Sequence, residues 1–433
     1  MEWYWALLLL LGTIVALMAV GMPVALAFLA ANIAGAWWFM GGERGVVLML
    51  DNGFGALSTF ALIPIPLFLL MGELFFHTGL GARMFNAIDR LLGRLPGRLS
   101  YVTVLGGTGF ATLSGSSMGS TALLGSLMVP EMQKRGYKTK LAIGPILGTG
   151  GLAIIIPPSA LSVLLATLAQ IDVGALLIAG VLPGLVLAGL YIGMIWLMTR
   201  MDPDAAPAYE VEPTPLSQKL WLVLRDIIPM TGVMFVVVLL MLFGIATPSE
   251  AAAFGALGVV ILALLFRCLT WTAIRASVEG ALKVTLMAYL IVFGSATFSQ
   301  LLAFSGASRG LIQWAIGFDL APLAMLAAMF AVLLLLGMFM EQISIMLLTV
   351  PFFFPLAQSL GFDLIWFALI MLLALEISFT TPPFGLLLFV MKGVAPPGTT
   401  MREIYTAAMP FIVCSLLLVL LLVLFPWLAL WAR

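Results

Sequence analysis

The stretch LSYVTVLGGTGFATLSGSSMGSTALLGSLMVP, residues 99–130, decides how this chain folds. It is apolar and exceeds the roughly 20 residues that a helix needs to cross a bilayer. Yet Arg83, Arg90, Arg94 and Arg98 precede it, and Lys134, Arg135, Lys138 and Lys140 follow it. Positively charged loops stay in the cytoplasm, so both flanks lie on one face of the membrane, which a single crossing cannot achieve. With Gly106, Gly107, Gly109, Gly115 and Gly119 in its middle, the stretch goes in and comes back. It reads as a re-entrant helical hairpin, tolerated only where protein buries its irregular tip.

The rest of the chain supplies that protein. Of 433 residues, 63% are hydrophobic and 9% charged, whereas a soluble domain carries about a quarter charged residues. Mean hydropathy is +1.20. Lys+Arg and Asp+Glu balance at 19 each, so no net charge points to nucleic acid. Cys268 and Cys414 are too few and too far apart for a disulfide framework. One histidine, His77, leaves triad, zinc and haem chemistry without partners. The expected class is an all-α polytopic membrane protein, not an enzyme.

The first apolar segment lacks a basic leader and reads as an uncleaved span. Spans are predicted near 3–21, 23–40, 54–77, 141–168 and 174–199, then near 227–244, 248–266, 282–304, 364–391 and 404–430. The polar segment 201–226 reads as a cytoplasmic linker.

Pro23 recurs as Pro248, Pro130 as Pro355, Gly136 as Gly361, and Pro157-Pro158 as Pro382-Pro383, every time 225 residues on. Matches in one register along both halves predict a duplicated architecture, with copies at 1–200 and 227–433. Charge then decides their orientation. Residues 310–391 contain no Lys or Arg, whereas the equivalent 85–166 contain seven; Asp319 and Asp363 flank the second apolar hairpin, 320–355. That hairpin is therefore predicted to enter from outside, and five crossings per copy make the repeats inverted, as in many secondary transporters.

Four places combine broken helices with backbone polar groups: Ser114 to Ser120, Gly150 to Ser159, Gly337 to Gln342 and Ser378 to Gly385. Proline lacks an N–H and clashes with the preceding turn, so Pro157-Pro158 and Pro382-Pro383 unwind their helices. The freed carbonyls suit a hard cation such as Na+, and half-helix N-termini suit an anion. Ser117, Ser159, Thr380, Pro157 and Pro382 mark the substrate region between these breaks. A bland alternative exists for each motif: small residues for close helix packing, and Pro-Pro as a simple kink.

The run Ser114-Gly115-Ser116-Ser117, then Val129-Pro130-Glu131-Met132, Arg135-Gly136-Tyr137 and Ile156-Pro157-Pro158-Ser159, resembles the large membrane (M, DctM-type) subunit of TRAP transporters. So do Gly21-Met22-Pro23, Thr247-Pro248-Ser249-Glu250-Ala251 and Thr381-Pro382-Pro383-Phe384-Gly385, in the family's order along the whole chain. The resemblance implies a sodium-driven importer of organic acids in a bacterial or archaeal cytoplasmic membrane. It would work by an elevator movement without ATP, beside a small four-helix (Q-type) membrane subunit and a periplasmic solute-binding (P-type) protein. It also implies two or more Na+ sites. One would use Ser114 and Ser116 with carbonyls of Ala153, Ile156 and Pro158; the other would use Gly337 with Ser378, Thr381 and Phe384. The family usually carries Gly where this chain has Ala153 and Ser378. Residues 99–168 and 320–391 would form the moving transport domain against a scaffold of the remaining helices.

Glu73 and His77, four apart, form either a proton relay or a structural pair. Glu341 and Glu376 are intramembrane carboxylates, on an ion pathway or in helix capping and polar packing. Glu250 reads as first-turn capping. The basic cluster from Arg83 to Lys140 marks topology and anionic membrane lipids. The alternative to the tripartite importer is a stand-alone ion-coupled carboxylate transporter that needs no binding protein.

Overall fold

The structure, a computed structural model, describes residues 2–91, 95–114, 117–207, 215–318, 320–338, 340–383 and 385–431. Arg94, Gly115, Ser116, the linker residues 208–214, Asp319, Phe339 and Phe384 lie outside them, as does the side chain of Ser114.

The described residues build helices and connecting turns. The first half contains α1 (Trp3–Ala19), α2 (Val24–Phe39), α3 (Glu43–Leu57), α4 (Pro64–His77) and α5 (Leu80–Leu91). It continues with α6 (Arg98–Ser114), α7 (Ser117–Lys134), α8 (Thr139–Ile155), α9 (Ala160–Ala169) and α10 (Val173–Met201). In the second half come α11 (Leu216–Leu222), α12 (Ile228–Leu242), α13 (Pro248–Leu265), α14 (Trp271–Phe304) and α15 (Ala307–Ile316). They are followed by α16 (Pro322–Gly337), α17 (Gln342–Ser359), α18 (Leu364–Thr380), α19 (Leu386–Val394), α20 (Met401–Leu424) and α21 (Trp427–Leu430).

Among the described residues, seven helices are long and apolar enough to cross a membrane, or eight if α8 and α9, bent by 45° at their break, form one span. The helices start where the sequence caps them. Thr247 accepts from the Glu250 amide while Glu250 bonds back to the Thr247 amide, so Glu250 closes a capping box on α13. Asp172 caps α10 by accepting from Ala175 N at 2.6 Å, and Asp363 caps α18. After α7 and α17 the chain turns at Gly136 (φ +81°) and Gly361 (φ +76°), left-handed positions that favour glycine.

Helix boundaries recur at the 225-residue interval: α7 maps onto α17 and α8 onto α18 end for end. Contacts between the halves also come in reciprocal pairs. Helix α2 packs on α14 and α13 on α4; α7 packs on α19 and α17 on α9; α10 packs on α18 and α20 on α8. Helices α8 and α18 are buried along nearly their whole lengths and sit at the centre.

One pair of counterparts differs. The span expected near 54–77 is jointed: α3 ends at Leu57, a short turn follows at Phe60–Leu62, and α4 starts on Pro64. Its counterpart α14 is a single 34-residue helix that begins well before the expected 282. The linker is not wholly irregular either, since α11 and a wide helical turn, Val223–Ile227, precede α12.

Candidate ion and substrate site

The two Pro-Pro pairs fall in the breaks. Helix α8 stops at Ile155 and α18 at Thr380, and both Pro157-Pro158 and Pro382-Pro383 are cis. In a continuing helix Pro157 would bond the carbonyl of Ala153 and Pro158 that of Ile154, but neither proline has an N–H. The Ile154 carbonyl is taken by two hydroxyls, Ser159 Oγ and Ser162 Oγ, each at 2.6 Å. Ser159 also accepts from Ser162 N at 3.2 Å, capping α9. Its hydroxyl therefore holds the break together rather than opening toward a substrate.

The second break has a parallel economy. Thr381 Oγ1 donates to the Ile377 carbonyl at 2.5 Å and Ser378 Oγ to that of Leu375 at 2.8 Å. Thr381 N reaches Ser378 O at 3.2 Å, and Gly385 N reaches Thr381 O at 3.1 Å. Gly337, which ends α16, lies directly on this break: a Cβ there would stand 1.8 Å from Ser378 Oγ. Gly337, Ser378 and Thr381 are thus brought together.

At the first break Ala153, Ile156 and Pro158 share one turn of chain, but the Ser114 side chain and Ser116 lie outside the described residues, as does Phe384 at the second. Of the first hairpin's expected tip, the opening turn of α7 is described. It packs on α8 so closely that a Cβ on Gly150 would stand 2.8 Å from Thr121 Oγ1 and 3.5 Å from Ser117 O. The hydroxyls of Ser117 and Thr121 are buried with no hydrogen-bond partner. Buried polar groups are nearly always satisfied, so these two hydroxyls stand out as free to take a partner. The sequence reading missed Thr121; its spacing of four from Ser117 on one helix face was the available signal.

A cavity of about 250 Å³ joins these elements. Ser117 and Met118 from the start of α7 and Glu341, Gln342 and Ile343 from the start of α17 line it. Leu161 and Leu164 of α9, Phe379 of α18, Leu69 and Glu73 of α4, and Val284 and Met287 of α14 complete its lining. No Lys or Arg is among the lining residues. Of the expected substrate region, only Ser117 reaches this cavity. Pro157 is buried in its break, Pro382 is half-buried, and Thr380 faces a separate small void.

The remaining carboxylates resolve individually. Glu73 Oε2 is 3.2 Å from His77 Nε2, a pair on one helix face. Glu341 precedes α17 but makes no capping bond; Ser344 donates to it at 3.4 Å. Glu376 is 2% exposed and caps nothing.

The profile of the family "Tripartite ATP-independent periplasmic transporter, DctM component" matches residues 11–428. The chain is 32% identical over 373 residues to the C4-dicarboxylate TRAP transporter large permease protein DctM of Pseudomonas aeruginosa, covering 85% of this chain and 84% of that one. It is 28% identical over 395 residues to the 2,3-diketo-L-gulonate TRAP transporter large permease protein YiaN of Escherichia coli, covering 90% of each. In fold it is similar to the YdaH transporter of Alcanivorax borkumensis, with TM-score 0.63 and 14% identity over 90% of this chain and 91% of that one. MtrF of Neisseria gonorrhoeae matches with TM-score 0.58 and 12% identity over 88% and 84%.

Proposed function

The chain belongs to the DctM component family of tripartite ATP-independent periplasmic transporters, and from that premise we propose that it is the substrate-translocating subunit of a sodium-coupled importer of organic acids. It is a multi-pass inner-membrane protein that works with a small membrane subunit and a periplasmic binding protein. Relatives named for a C4-dicarboxylate and for 2,3-diketo-L-gulonate support small organic acids as the substrate class.

One observation carries the reading: the opening turns of α7 and α17, one from each hairpin, line the same cavity between the two broken helices. Two helix N-termini supply positive partial charge to a carboxylate where no basic side chain does. Sodium is held beside it by backbone carbonyls that Pro157-Pro158 and Pro382-Pro383 release, with hydroxyls of Ser116, Thr381 and the open Ser117 and Thr121. The cavity's lining is drawn from both expected hairpins and the broken helices and also from α4 and α14. That mixed lining suits an elevator, in which residues 99–168 and 320–391 travel together against a fixed frame.

The test is uptake of a panel of radiolabelled organic acids by proteoliposomes holding this chain with its small subunit and binding protein. An inward sodium gradient should drive uptake. Thr381→Val and Ser116→Val, which remove one oxygen ligand each, should raise the sodium concentration for half-maximal uptake by about five- to tenfold. Uptake indifferent to sodium removal would sink the coupling, and full uptake without the binding protein would favour a stand-alone carrier.

A further inference from the structure

Glu376 belongs to neither sodium group described above. It lies two residues before Ser378 on α18, and at roughly 100° per residue the two side chains leave the helix on opposite sides. Ser378 meets Gly337, whereas Glu376 meets Gly151 of α8, where a Cβ would stand 2.0 Å from Glu376 Oε1. The carboxylate is 2% exposed, and its Oε2 has no hydrogen-bond partner. Gln342, the first residue of α17, lies beside it and donates to the Leu375 carbonyl, one residue earlier on α18, at 3.5 Å. Beside it is a void of about 10 Å³ whose polar lining is Glu376, Thr380, Tyr191 and Ser415. Tyr191 Oη and Ser415 Oγ are 2.9 Å apart and both buried. No basic side chain lines this void.

A carboxylate that stays ionised away from water requires a counter-charge or strong hydrogen bonds on both oxygens. The protein gives Oε2 no hydrogen-bond partner, and the void beside Glu376 is also lined by three hydroxyl-bearing residues and has room for about one water-sized particle. We propose that Glu376 is the anionic ligand of a further cation site, filled by Na+ and completed by the hydroxyls of Thr380, Tyr191 and Ser415. The inference rests on the sodium-coupled reading given above. Through Gln342 the site also touches the second hairpin's tip, so its occupancy bears on whether that tip stays seated against α18.

The experiment is equilibrium binding of radioactive sodium to the full chain purified in detergent, with N-methylglucamine as the replacement cation. Glu376→Gln keeps the shape and removes the charge, and should lower the sodium bound at saturation by about one ion per chain. Ser415→Ala, which keeps the carboxylate, should weaken one class of site by about three- to tenfold. Glu376→Gln that binds as much sodium as the unaltered chain overturns the proposal and assigns the neutralising role to a proton. If that variant does not fold, Ser415→Ala and Thr380→Val decide, and unchanged binding in both overturns it. An unaltered chain that binds no sodium overturns the coupling reading as well; normal binding with an indifferent Glu376→Gln overturns only this site.

Discussion

At the scale of single residues, the centre of the protein is built around glycines that leave no room for anything else. Gly151 and Gly337 each press a backbone against a polar side chain of α18, Glu376 and Ser378 respectively. Gly151→Ala must displace the Glu376 carboxylate or the helix behind it, and should destabilise the protein by about 1–3 kcal/mol, as overpacking does. Gly193 of α10 has nothing within 4 Å of an added Cβ, so Gly193→Ala should be neutral or stabilising by up to about 1 kcal/mol. Thermal unfolding of the two variants in the same detergent separates them; equal melting temperatures would contradict the close approach. The Pro-Pro breaks and the hydroxyl-rich hairpin tips could be read from sequence because proline and serine declare their backbone chemistry locally. The surroundings of Glu376 could not, because Gly151 meets it from α8 and Tyr191 and Ser415 line the void beside it from α10 and α20.

At the scale of elements, the helix pairs of the two expected hairpins were legible from the small residues, Gly115 to Ser117 and Gly337, that interrupt each long apolar stretch. Helices α6 and α7 span the expected 99–130 to within a few residues, and α16 and α17 span 320–355. Helix α14 was underestimated for a physical reason. Its first turns carry Arg275 and Glu279, paired at 2.8 Å, a solvated stretch that an apolar window ends at but a helix does not. At 1.5 Å per residue its 34 residues reach about 51 Å, longer than a bilayer is thick, so it stands as a brace against α2, α3 and α4. Asn32 of α2 fastens it, donating to Gly294 O at 2.8 Å and Thr297 Oγ1 at 2.6 Å.

If that brace stays still while the hairpins move, contacts across the boundary must break during transport. Thr167 Oγ1 of α9 lies 3.4 Å from the Ala61 carbonyl. A disulfide between Ala61→Cys and Thr167→Cys should stop uptake and release it on reduction. Gly125 and Met391 meet inside the expected moving unit, with a Cβ on Gly125 3.4 Å from the Met391 side chain, so Gly125→Cys with Met391→Cys should leave uptake intact. Transport through the first cross-link would exclude an elevator and favour local gating.

At the scale of the whole molecule, orientation in the membrane is the reading to test. With Cys268 and Cys414 replaced by serine, Pro96→Cys and Lys134→Cys should both resist a membrane-impermeant maleimide in intact cells, and Ser359→Cys should react. Labelling of only one of the first pair would make the first hairpin a crossing, and a silent Ser359→Cys would make the copies parallel. A last consequence follows from Gly151 meeting Glu376, because these two positions are themselves 225 residues apart. On the two-copy reading they are one position seen twice, touching where the pseudo-dyad passes between α8 and α18. On such an axis a side chain collides with its own image. A homodimer of identical halves would have to place two glutamates there, or none. Joining the halves in one polypeptide let one copy shrink to glycine while the other kept its acid, so a single carboxyl group sits where strict symmetry forbids one.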